Sequence, residues 1–232
     1  MAHAYFHAVS SVRKFGGTPL DYYALHEFMD STKEHVPDAR HRLFLHNAWG
    51  IWLAERVLGI VLVRNSDKHV TPVRTVLEQH VKEDYGGVIP SLDQCFARAQ
   101  LYPLLEKDDD WQHCLHSCER FGGRPDDYLP LHQFLNSART VLPDKASRCV
   151  LHNAWGIDLV VRCLGTTFRR SSDHIQTSTR QVAEMHILRD LGAIPTMLEA
   201  VRTVPLAKWM YENAVPLSRL LKGETDHHGV PL

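Results

Sequence analysis

The chain repeats itself. At a shift of 106 residues, Phe15-Gly16-Gly17 returns as Phe121-Gly122-Gly123, and Asp21-Tyr22 as Asp127-Tyr128. The run from Leu45 to Ile51, Leu-His-Asn-Ala-Trp-Gly-Ile, returns unchanged from Leu151 to Ile157. Between residues 7–86 and 113–192 about 36 of 80 positions match with no gap, so just over half have changed. A repeat of this length exceeds a solenoid unit and predicts two copies of one small module. The expected boundaries are 1–103 for the first copy and 109–202 for the second, with a C-terminal helix and a disordered tail over 203–232.

Local patterning makes each copy helical. Gly16-Gly17 ends a first helix over about residues 3–14, because glycine accepts the left-handed conformation at a helix C-terminus. Thr18-Pro19-Leu20-Asp21 begins a second, with Tyr22, Leu25, Phe28 and Met29 on its inner side. After the Pro37-Asp38 break, residues 39–58 predict one long helix that is apolar on most sides. Residues 60–63 and 68–73 are rich in β-branched side chains and flank Asn65-Ser66-Asp67, which predicts a short hairpin or an irregular loop. A fourth helix covers residues 72–84, a short fifth covers 92–99, and the stretch 205–221 reads as an extra helix. The predicted class is all-α: two tandem four- or five-helix modules, each with a short hairpin or loop before helix 4.

Composition narrows the function classes. The formal net charge is −1, so no basic excess points to nucleic acid. The apolar run near residues 57–63 is too short to span a bilayer. Met1 to Phe6 lacks the basic stretch and apolar core of a secretory signal. The cysteines number five, an odd count, and four of them lie in the second copy, which is not a disulfide framework. A cytoplasmic setting with free thiols is the expectation. Cys114 and Cys118 lie four apart, but small residues on one helix face explain them more simply than a metal pair.

Histidine is the unusual residue, at 16 in the chain. Because the chain carries two copies, its shared polar positions are the informative ones. His26, His46, His80 and Asp84 match His132, His152, His186 and Asp190, and His7 matches His113. His80 and Asp84 are four apart and leave one face of a helix together. Imidazole and carboxylate are ligands for zinc, manganese and iron. Helical bundles build such sites from inward side chains on neighbouring helices. Each histidine alone has a plainer explanation, as a buried hydrogen-bonding residue. Three readings therefore stand: a divalent-metal protein, with hydrolysis of a phosphoester or nucleotide as its chemistry; a non-catalytic module that sequesters a small anionic ligand; and a structural or interaction module with a buried His/Asp network. Arg42, Arg74, Arg148 and Arg180 are shared and are the candidate anion-binding residues. Arg74-Glu78 and Arg180-Glu184 also read as i,i+4 ion pairs of small worth. Ser66-Asp67 and Ser172-Asp173 read as turns. Trp49-Gly50 reads as close helix packing, and Asn47 as an orienting partner for His46. No Walker loop, dinucleotide fingerprint or nucleophile elbow is present.

The run from Glu78 to Pro90 (Glu-Gln-His-Val-Lys-Glu-Asp-Tyr-Gly-Gly-Val-Ile-Pro), with Phe15-Gly16-Gly17, Leu25-His26-Glu27 and the stretch from His46 to Ile51, resembles a small bacterial and phage family of domains of unknown function. That domain is about 100 residues long and is usually present as a single copy. The resemblance implies the fold and the polar set, but no reaction. The second copy departs from the pattern at Met185 and Arg189. Both copies carry Asn and Trp (Asn47 and Trp49, Asn153 and Trp155) where the family often has a second histidine and a glutamate. That departure bears on any chemistry that needs those two groups.

Overall fold

The computed structural model describes residues 3–96, 109–142, 144–202 and 204, and these form two compact units, 3–96 and 109–204. The joint between the copies and the stretch 205–232 lie outside the described residues, and with them the expected C-terminal helix and tail.

In the first unit the helices are α1 (Ala4–Phe15), α2 (Pro19–Asp30), α3 (Arg42–Leu45), α4 (Ala48–Leu58), α5 (Val73–Asp84) and α6 (Leu92–Phe96). Short 3-10 turns, Ser31–Glu34 and Ala39–His41, join α2 to α3. Strands β1 (Val61–Val63) and β2 (Val70–Pro72) form an antiparallel hairpin with Leu62 opposite Thr71. Helices α1, α2, α4 and α5 pack on one another. Tyr22, Met29, Leu43, Leu45, Ile51, Leu53 and Leu77 fill the core. The second unit repeats the order: α7 (Asp110–Phe121), α8 (Leu129–Leu135), α9 (Asp144–Leu151), α10 (Ala154–Leu164), β3 (Thr167–Arg169), β4 (Gln176–Ser178), α11 (Thr179–Leu191) and α12 (Met197–Val201). The predicted helical class, tandem repeat and hairpin are all present.

The single long helix expected over residues 39–58 is instead two helices, broken at His46-Asn47. Asn47 stops the first helix and starts the second. Its Nδ2 donates to the carbonyls of Leu43 (2.9 Å) and Phe44 (3.3 Å), and its Oδ1 accepts from the Gly50 amide at 2.9 Å. It is therefore an N-cap for α4, rather than an orienting partner for the imidazole beside it. The glycine serves the same break. A Cβ on Gly50 would sit 2.0 Å from the Leu45 carbonyl oxygen, so only glycine lets the chain fold back this tightly. Asn153 and Gly156 repeat the arrangement, with the Leu151 carbonyl 1.9 Å from a Cβ at 156.

A second device ties the hairpin to the start of α2. Asp21 closes a capping box with Thr18 and also accepts from the amides of Asn65 (2.7 Å) and Ser66 (3.1 Å) and from the Ser66 hydroxyl (2.5 Å). Buried Arg64 donates to the Phe15 carbonyl, to the Tyr22 hydroxyl (3.0 Å) and to Asp67 (2.9 and 2.7 Å). Arg170, Asp127 and Asp173 repeat this clasp. The Ser-Asp pairs are thus more than turn formers: serine binds the helix cap, and aspartate holds the arginine. The hydrogen bonds to Asp21 hold its carboxyl well below the usual range although burial opposes this, and Asp127 behaves alike.

The helix break predicts that Gly50→Ala destabilises the protein by about 3 kcal/mol or more, since backbone rather than a mobile side chain must yield. Urea unfolding measures it, and a loss under about 1 kcal/mol would show that the break relaxes freely.

Candidate metal centre

The break at His46-Asn47 turns the His46 side chain inward, to where α2 and α5 each present an i,i+4 pair. These pairs are His26 with Asp30 on α2 and His80 with Asp84 on α5. All five residues are buried. One ligand atom each from Asp30, His46, His80 and Asp84 falls within 4.8 Å of the other three. His46 Nε2 lies 3.0 Å from His80 Nε2, 3.1 Å from Asp84 Oδ2 and 3.5 Å from Asp30 Oδ1. His80 Nε2 lies 3.7 Å from Asp30 Oδ1 and 3.9 Å from Asp84 Oδ2. Donors bound at about 2.1 Å to one ion stand roughly 3.0 Å apart in octahedral and 3.4 Å apart in tetrahedral geometry. The spacing of these four groups fits such an ion.

His26 is not among the four. Its Nδ1 meets His80 Nδ1 at 2.9 Å, on the side of that ring away from His46, and its Nε2 meets Ser11 Oγ at 2.9 Å. The His7 ring lies tilted against His80 at 4.1 Å between centroids and bonds Glu83 through Nδ1 at 2.6 Å. Arg42 pairs with Asp84 Oδ1 at 2.9 Å. Arg74 is placed elsewhere: it is exposed and donates to Glu55 at 3.1 Å, while Glu78 faces Lys82.

Proton positions follow from this network. Burial, with the charge on His7, keeps the pKa values of His26 and His80 well below the ordinary value, so both are neutral. The Ser11 hydroxyl donates to Gln79 Oε1 at 3.1 Å and so accepts from His26 Nε2–H. His26 Nδ1 is then a lone pair that accepts from His80 Nδ1–H. That leaves His80 Nε2 as a lone pair aimed at His46. Asp84 is held ionised: burial would raise its pKa, but the His46 hydrogen bond and the charges of His7 and Arg42 lower it. Asp30, against the same desolvation, is drawn to about 2 by His46 and Lys33. Two carboxylates and a nitrogen lone pair thus converge on His46 Nε2, which can carry at most one proton. A cation among the four groups satisfies them all.

The second unit brings its matched residues together too. His132 Nδ1 meets His186 Nδ1 at 2.8 Å, His186 Nε2 meets His152 Nε2 at 3.0 Å, and His152 Nε2 meets Asp190 Oδ2 at 3.1 Å. His113 stacks on His186 at 3.7 Å between centroids and lies 3.2 Å from Asp190. His113, His186 and Asp190 could also hold a metal ion. Arg148 pairs with Asp190 at 2.7 Å, whereas Arg180 is half-exposed and pairs with Asp158.

Asp30 was not found from the sequence because the copies differ there, with Asn136 as its counterpart. The signal that could have found it is its place four residues after His26, on the same helix face. All five cysteines are free, and burial pushes the Cys95 and Cys114 thiols up to about 12, so neither is poised as a thiolate ligand. Among the described residues no helix is long and apolar enough to cross a membrane.

A family model described as a domain of unknown function, DUF6915, matches residues 2–105 and again residues 108–210. The chain belongs to that family, as two tandem domains. No curated protein and no solved structure matches it.

The buried histidines set a pH dependence for the metal-free protein. Burial depresses His132 to about 3 and His152 to about 4, and holds His26, His80 and His186 well below the ordinary value. Between those values and an unfolded value of about 6.5 the unfolded chain binds more protons, so stability falls as pH falls. His7, whose pKa is raised because Glu83 and Asp84 outweigh its burial, acts oppositely: its stabilisation is full below about 6.5 and fades as pH rises through its folded value. The expected slope between pH 6 and 4.5 is on the order of 1 kcal/mol per pH unit for each neutral histidine. Urea midpoints across that range test it, and a flat profile would mean that these rings are hydrated.

Proposed function

We propose that this tandem DUF6915 protein is a divalent transition-metal-binding protein, with Asp30, His46, His80 and Asp84 as the ligands of its first unit. One observation carries the reading: three acceptors converge on a buried nitrogen that can offer only one hydrogen. Two carboxylates also suit a divalent ion, although each already has one cation beside it, Arg42 for Asp84 and Lys33 for Asp30. The mixed imidazole and carboxylate set suits zinc, manganese or iron(II). His26, fixed by Ser11, accepts from the far nitrogen of His80, which is the usual way a ligand imidazole is oriented and made more basic.

Hydrolysis of a phosphoester or nucleotide is a second reading, favoured by the donor count. Four protein ligands leave two positions of a six-coordinate ion for water and a substrate oxygen, and a bound water is a nucleophile near neutral pH. Arg42 lies beside this set, but its guanidinium is engaged by Asp84, and Arg74 is engaged by Glu55 at the surface. The ion itself would therefore bear the substrate's negative charge. Enclosure of all four ligands favours a bound ion over turnover.

Two measurements test these readings. Zinc or manganese added to metal-stripped protein should raise its melting temperature, by the equivalent of about 2.7 kcal/mol at a hundredfold excess over Kd. His80→Ala should lose the effect. No shift with any first-row ion would overturn the metal reading. Manganese-loaded protein that leaves bis(p-nitrophenyl) phosphate intact would overturn the hydrolytic one.

A further inference from the structure

We infer that the two units are not equivalent: the first holds a metal ion, the second is closed by a proton, and the residue that decides between them is Asp30 or its counterpart Asn136. The inference rests on the metal reading of the first unit and extends it to a difference within the chain.

The histidine ladder is the same in both units. Ser117 donates to the His113 carbonyl at 2.9 Å and so accepts from His132 Nε2–H. His132 Nδ1 then accepts from His186 Nδ1–H, and His186 Nε2 is left as a lone pair beside His152. What surrounds that lone pair differs. In the first unit three carboxylates, Asp30, Glu83 and Asp84, line the network, with Arg42 on Asp84 and the part-exposed Lys33 on Asp30 as the fixed cations. In the second, Asn136 replaces Asp30 and Arg189 replaces Glu83, so Asp190 remains opposite Arg148. The one pair of opposite charges already balances, and a divalent ion would add two uncompensated charges to a buried site.

Fewer acceptors also compete for the last proton: two here, against three in the first unit. A single proton on His152 Nε2 serves Asp190 Oδ2 at 3.1 Å and lies against His186 Nε2 at 3.0 Å. Asn136 is committed at both ends of its amide. Its Nδ2 donates to Asp110 Oδ1 at 2.6 Å, and its Oδ1 accepts from Arg148 Nη1 at 3.0 Å. In the first unit Ala4 stands where the second has Asp110, and Asp30 Oδ1, though paired with Lys33 at 2.7 Å, still lies 3.5 Å from His46 Nε2 and 3.7 Å from His80 Nε2. Position 30 or 136 therefore decides whether the fourth donor is an ionised carboxylate facing the histidines or an amide held away from them.

Metal content of the untagged full chain, expressed in zinc- and manganese-supplemented medium and dialysed, tests this. Wild type should retain one equivalent, Asp30→Asn close to none, and His186→Ala still one. The double variant Asp110→Ala with Asn136→Asp, which gives the second unit the first unit's residues at both positions, should retain two. Circular dichroism on each variant confirms the fold. Two equivalents in wild type would overturn the inequivalence and leave the first-unit reading standing. No metal in wild type would overturn that reading itself. A double variant that is folded and stays at one equivalent would show that position 136 is not the determinant.

Discussion

A buried polar cluster must find a partner for every donor and acceptor it encloses, and this requirement organises each unit. Along the ladder Ser11, His26, His80 and His46, every link has one donor and one acceptor until the last, where the lone pair of His80 meets His46. The surrounding helices are held at the separations that these links demand. An apolar core of the same volume would tolerate sliding of α2 against α5, whereas a run of contacts near 3 Å does not. The cluster thus specifies the packing as well as occupying it.

The helix break shows how the backbone serves that cluster. A continuous helix over residues 39–58 would direct His46 by the helical period alone. Interrupting it at His46-Asn47 frees the imidazole from that period. The cost, two helix ends in a buried region, is met by the Asn47 amide group and by the absence of a side chain at Gly50. The seven-residue identity from Leu45 to Ile51 and from Leu151 to Ile157 is therefore the record of a single backbone manoeuvre.

Much of this was legible in the sequence. Duplication turned one chain into its own comparison and drew out His26, His46, His80 and Asp84, which the fold brings together. Periodicity placed α1, α2, α5 and the hairpin within a residue or two. It could not show the break, because a capping asparagine inside an apolar run looks like any helical residue. It could not show Arg64 either, whose partners lie 49 and 42 residues away along the chain. Asp30 escaped because identity between copies was the filter, and a position where the copies have diverged is invisible to such a filter even when the divergence is the informative fact. Arg74 and Arg180 passed that filter and lie at the surface, since shared ion pairs are kept for reasons other than ligands.

The Arg64 clasp has a mechanical consequence. It fastens the N-terminal end of α2 to the hairpin that leads into α5, while Asp30 and Asp84 lie at the far ends of those helices. From Asp21 to Asp30 the helix rises roughly 13 Å, a lever arm over which a tilt of about 5° carries the carboxylate roughly 1 Å. Coordination distances tolerate only about 0.2 Å. Hydrogen bonds at the hairpin, remote from the buried histidine cluster, therefore act as the fulcrum on which the alignment of the buried donors turns.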